Sequence, residues 1–130
     1  MMKSVFAVLA GLVAIVATHI GTDQAMHAAG VFPPEGEPMF DPALNALALG
    51  YRTVFSVLGC ALTAAMAPSR PMMHALTLGG IGTMLSALGA YAAMNLNLGP
   101  MWFPIALALS ALPSAWLGGM MGMRMRTGAK

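Results

Sequence analysis

The stretch PMMHALTLGGIGTMLSALGAYAAMNLNLGPMWFPIALALSALPSAWLGGMMGM, from Pro71 to Met123, contains no Asp, Glu, Lys or Arg. A helix needs roughly 20 apolar residues to cross ~30 Å of hydrocarbon, so this stretch is long enough for two crossings. It divides at Asn95-Leu96-Asn97-Leu98-Gly99-Pro100, where Gly and Pro end helices and Asn tolerates turn geometry. The spacing therefore predicts spans over about 71–94 and 101–123. Toward the N-terminus, two further segments qualify: about 43–67, with the single charge Arg52 inside it, and about 4–24. Val31-Phe32-Pro33-Pro34-Glu35-Gly36-Glu37-Pro38 cannot continue a helix, and Pro68-Ser69-Arg70-Pro71 makes a tight hairpin. Inside lipid only helices or closed barrels satisfy the backbone. Ala, Leu, Met and Gly dominate the spans without strand-like alternation, which excludes a barrel. The expected fold class is all-α: an integral membrane four-helix bundle forming a single transmembrane domain over 1–130.

Composition agrees with a lipid environment. The chain is 58% hydrophobic and only 8% charged, where a soluble domain carries about 25% charged residues. The net charge of +2 rests on six basic residues, of which Arg124, Arg126 and Lys130 form a tail rather than a nucleic-acid footprint. Cys60 is the only cysteine, which excludes an intramolecular disulfide and a cysteine-rich zinc site. Met1-Met2-Lys3 and the apolar run behind it have the look of a secretory signal. The run stays uncharged from Ser4 to Thr22, longer than the usual ~7–15 residues, and no clean small-x-small cleavage site follows, so a retained first span is expected.

Orientation follows from Lys and Arg in short loops. Lys3, Arg70 and the Arg124/Arg126/Lys130 tail fall on one side; the loop over 25–42 holds Glu35, Glu37 and Asp41, with Asp23 just before it, and neither Lys nor Arg. Both termini are thus expected in the cytoplasm of a bacterium with the chain in its inner membrane, and the acidic loop outside. Tyr91 and Trp102 fall near the outer interface and Trp116 nearer the inner one, as in an aromatic belt. Helices in lipid pack through small residues that let backbones approach. Candidate packing positions are Gly82, Ser86 and Ala90 beside Gly79 and Gly80 in the third helix, Ala10, Ala14 and Thr18 in the first, and Gly59 and Thr63 in the second.

Arg52 is the most informative position. Counted from Ala43, its backbone lies roughly 13 Å below the outer surface, where a lipid-facing charge is expensive. Side chains lean toward the N-terminus of their helix, so its guanidinium can reach outward to the level of Asp23. The alternatives are an anionic ligand and simple snorkelling to water. His19, Asp23 and His27 recur at four-residue spacing on one side of the first helix. His19 and His27 are ~12 Å apart on a straight helix, too far to share an ion, so a polar seam with Arg52, Tyr51 and Gln24 is expected in preference to a metal site or a proton relay. His19 and His74 lie near opposite surfaces, which excludes paired axial ligation of one haem within the chain. The Met-rich run Met120-Met121-Gly122-Met123-Arg124-Met125 has Cu(I)-binding chemistry, but Met is also an adaptable packing residue. No cofactor is expected. Phosphate-binding Gly loops, zinc-protease helices and nucleophile elbows are missing, so the sequence does not predict an enzyme.

Arg70-Pro71-Met72-Met73-His74-Ala75-Leu76, Trp102-Phe103-Pro104-Ile105-Ala106 and Ala115-Trp116-Leu117-Gly118-Gly119 resemble segments of small uncharacterised bacterial four-helix inner-membrane proteins, over about residues 50–123. The resemblance implies fold and location and no activity. By size the chain is also similar to small multidrug resistance transporters, but their first helix carries an embedded Glu, and no carboxylate precedes Asp23 here. Two functions are expected from different classes. The first is a non-catalytic accessory or stabilising subunit packed against a larger membrane assembly, its partners being lipids and a membrane protein or further copies of the chain. The second is a small oligomeric transporter or channel using an Arg52/Asp23/His19 pathway.

Overall fold

The computed structural model describes residues 2–33, 40–96, 100 and 102–128. It contains four helices: α1 (Met2–Ala28), α2 (Pro42–Met66), α3 (Pro71–Leu96) and α4 (Trp102–Gly128). Each is long and apolar enough to cross a membrane. Glu35, Glu37, Asn97 to Gly99 and Lys130 lie outside the described residues, as do the side chains of Met94 and Arg126.

Local chemistry sets the helix ends. Asp41 caps α2, its carboxylate accepting from the Ala43 amide at 2.8 Å, and Pro42 occupies the first turn, where no amide partner is needed. At the other end the Ala67 amide still donates to the Thr63 carbonyl, but Ala67 itself is extended. Arg70 then adopts a left-handed backbone (φ 46°), turning the chain into Pro71 and α3. α1 ends on Gly30 at φ 77°, a conformation that costs a residue without Cβ little. Pro113 sits inside α4 and removes one amide from its ladder without ending the helix.

The helices do not pack in chain order. α2 touches all three others, α4 lies between α2 and α3, and among the described residues α1 and α4 do not meet. Around the bundle the order is α1, α2, α4, α3, closed by a sparse contact between α3 and α1. The α1–α2 pair is antiparallel. A Cβ built on Gly11 would fall inside contact distance of Thr63 Oγ1 and 2.8 Å from the Gly59 carbonyl oxygen, and one on Gly59 would run into Ile15. Thr63 is fully buried and donates to the Ala7 carbonyl at 2.9 Å. The α2–α4 pair is parallel, because Gly118 meets Cys60 and Ala61 while Gly122, one turn further on, meets Ala64 and Ala65. α3 and α4 are antiparallel, with Gly79 against Ala115 and Gly119 against Met72 and Ala75. The core is small-sided: Cys60, Ala64, Ala75, Leu78 and Ala115 form its centre. Large apolar side chains such as Phe6, Val13, Met84, Leu88 and Leu109 point outward, an arrangement that suits lipid and not water.

The glycines fall into two groups that a single methyl distinguishes. Gly11→Ala and Gly122→Ala should each destabilise the bundle by about 1–3 kcal/mol, since the added methyl meets backbone or a buried side chain. Gly80 has open space where its Cβ would be, so Gly80→Ala should leave stability unchanged or raise it by up to ~1 kcal/mol through helix propensity. Unfolding in graded SDS followed by circular dichroism checks all three.

Candidate functional site

The paired charges inside the helices lie at the end of the bundle where α1 finishes and α2 begins. The Arg52 Nη2 of α2 donates to Asp23 Oδ2 of α1, forming an ion pair. The Tyr51 hydroxyl donates to the other oxygen of the same carboxylate. One acidic side chain is therefore held by two consecutive residues of the facing helix, with a charge-assisted bond on one oxygen and a phenolic bond on the other. His19, one turn deeper on α1, places Nε2 3.2 Å from the Arg52 carbonyl oxygen and donates to it as the Nε2–H tautomer. α1 and α2 are thus joined by side chains at this end and by Thr63 at the other, with the Gly11/Gly59 approach between them.

Asp23 and Arg52 are brought together, with Tyr51 and His19 around them. His27 is not part of that cluster. Its Nδ1 lies 2.6 Å from the Pro33 carbonyl oxygen, and its ring meets Phe32 edge-on at 5.6 Å. Phe32, buried although it lies beyond the helix, stacks at 6.5 Å on Tyr51. Tyr51 in turn lies 6.0 Å from Phe55, and Phe55 lies 6.2 Å from His19. A run of rings, His27, Phe32, Tyr51, Phe55 and His19, therefore flanks the ion pair and keeps the start of the loop on the bundle. His74 is elsewhere, with Nδ1 2.9 Å from the Arg70 carbonyl oxygen at the start of α3.

Three participants escape a reading of the sequence. Phe32 precedes two prolines and looks like loop. Phe103 carries the Arg52 guanidinium 5.6 Å from its ring centre, a cation–π contact across to α4. Asn45 is buried at the start of α2, its amide donating to the Asp41 carbonyl at 2.9 Å. The i, i+4 pair Tyr51 and Phe55 on the face of Arg52 was the available signal for the aromatic flank. No comparable signal marks Phe103, whose partner is far away in the chain.

Behind the ion pair the four helices part around a cavity of about 460 Å³. Arg52, His19, Asn45 and Phe103 line its upper part, and Cys60 and Leu78 its floor. Of the packing candidates, Gly59 makes a close helix contact and Ala14 is half-buried on α1. Gly82 and Ser86 instead line the cavity, and a Cβ on Gly82 would come no nearer than 3.8 Å to Ala111. Ala90, one turn beyond, is half-buried. Among the described residues no three of His, Cys, Asp and Glu come close enough to hold one metal ion.

Charge exchange tests the pair. Arg52→Glu and Asp23→Arg should each destabilise the bundle by about 2–3 kcal/mol, the cost of leaving a half-buried charge without its partner in an apolar setting. The double exchange should recover part of the loss, and Tyr51→Phe should cost only about 1 kcal/mol. Detergent-resistant folding of the four variants is the measurement; equal stability in all would mean that the pair braces nothing.

No family model, curated protein or solved structure matches this chain.

Proposed function

We propose that the chain is a non-catalytic integral protein of a bacterial inner membrane, with both termini cytoplasmic, that serves as an accessory or stabilising subunit packed against a larger membrane assembly. The observation that carries this reading is the engagement of its embedded polar groups. Asp23, Arg52, Tyr51 and His19 bond to one another across α1 and α2, which makes them a brace between helices rather than groups held ready for chemistry; among the described residues the Arg52 Nε is the one buried side-chain polar atom left without a partner. Outside that brace the helices present apolar side chains to their surroundings, and small exposed residues such as Gly21 and Gly50 have nothing against them, so another helix could approach closely there. The orientation rests on Lys3, Arg70 and Arg124 lying at one end and the acidic loop at the other.

A second reading, a small oligomeric transporter or channel, draws on the cavity that Arg52 and His19 line. Purification from native membranes in mild detergent separates the two. The accessory reading expects a stoichiometric complex with a larger membrane protein, and a pure homo-oligomer would replace it with the transporter.

Topology has its own test. With Cys60→Ala as background, Ser69→Cys should react with a membrane-impermeant maleimide only after the cells are opened. Strong labelling of intact spheroplasts would reverse the orientation.

A further inference from the structure

The cavity has three properties that together specify an occupant. It is long: along α2 its lining runs from Asn45 to Cys60, about 22 Å at 1.5 Å per residue. It is walled mainly by carbon, with Asn45, Arg52, His19 and Ser56 supplying polar groups from its outer end to its middle and Cys60 and Leu78 at the floor. It is also open sideways. Val16 of α1 and Leu85 and Gly89 of α3 line it and are exposed on the bundle surface. α1 and α3 share a sparse contact that includes Gly11 against Leu78, and the exposed lining residues Val16, Leu85 and Gly89 all lie to the outer side of that point.

We propose that this cavity binds one neutral, single-chain amphiphile that enters from the bilayer between α1 and α3 and lays its carbonyl-bearing head by Arg52 and its hydrocarbon tail toward Cys60 and Leu78. This goes beyond the accessory role and requires only that the bundle lies in a membrane. All four helices line the space, so an occupant reaches it through the α1/α3 gap, a route that suits a flexible chain better than a helix ~10 Å wide; the cavity volume is about 460 Å³. That space is within the ~300–1,000 Å³ of small-ligand pockets. Charge selects a neutral head. Arg52 is already compensated by Asp23, so an anion would bring an unpaired negative charge into a low-dielectric site. A carbonyl oxygen accepts a hydrogen bond from the guanidinium without adding charge. The wall of α3 makes the room, since Gly82, Ser86 and Gly89 place little or no side chain where a packed helix would have one.

The test uses the full chain in phosphatidylcholine nanodiscs with a monoacylglycerol carrying a diazirine in its acyl chain, followed by irradiation and peptide mapping. Labels are expected on the segments of Cys60 and of Leu78 to Ser86. Gly82→Leu combined with Gly89→Phe should reduce them about tenfold, while Gly80→Phe, outside the cavity and in open space, should not. Unlabelled monoacylglycerol should compete on the unaltered protein and hexadecane should not, a readout that holds even where the filled variant fails to fold. Labels spread over lipid-facing Val13, Met84 and Leu109, labels that survive filling in a folded variant, or competition by hexadecane equal to that by monoacylglycerol would each overturn the proposal. So would a benzophenone side chain introduced in place of Gly89 that captures a polypeptide from native membranes instead of lipid.

Discussion

Burying apolar surface gives helices in lipid little reason to associate, because the acyl chains are as apolar as the side chains they would replace. What holds such a bundle is dispersion between closely approached backbones, and α2 is the face on which close approach occurs twice. Gly11 of α1 reaches it on one side, and Gly118 and Gly122 of α4 reach it on another. Each approach removes a side chain's thickness from the gap and brings carbonyls, amides and methyl groups into contact over several turns. The remaining features depend on this. Thr63 can reach the Ala7 carbonyl only because the helices are that near, and Arg52 meets Asp23 at the far end of the same seam.

The polar brace and the glycine seam do different work. Glycine contacts fix how near α1 and α2 lie but tolerate sliding, since small residues recur along both helices. The Asp23 carboxylate, gripped by Tyr51 and Arg52 together, fixes the register, because a shift of one residue would remove both donors and strand a charge. Phe103 extends that fixation to α4 through its contact with the same guanidinium. A single arginine thereby relates three helices, although its only ion-pair partner among the described residues is on α1.

Four helices long and apolar enough to cross a membrane are legible in the sequence because crossing hydrocarbon sets a length and forbids charge, and both conditions are visible residue by residue. The facing of Arg52 and Asp23 is legible for a similar reason: helical rise and the lean of side chains place the two at one depth. Neighbour order is not legible. Apolar residues run around α1, α3 and α4, so no stripe says which face is inside, and Gly82-x-x-x-Ser86 looks as suitable for packing as Gly118-x-x-x-Gly122. The structure uses the second for contact and the first to line open space. What decides between them is the company of each glycine: Gly118 and Gly122 meet Cys60, Ala61 and Ala64, all small, and that match lies on a distant helix.

The parallel alignment of α2 with α4 has a consequence for how the chain is made. α1 and α2 are antiparallel neighbours in the chain, so they can pair as soon as both have left the ribosome. The second face of α2, carrying Cys60, Ala61 and Ala64, receives Gly118 and Gly122 of α4. It must wait until α3 has been made and α4 has followed, several seconds later at about 5–20 residues per second. During that interval α2 offers a backbone-accessible surface to any passing helix of suitable direction. α4 is therefore the helix that covers this face of α2, and its arrival ends the interval in which that face is open to other helices.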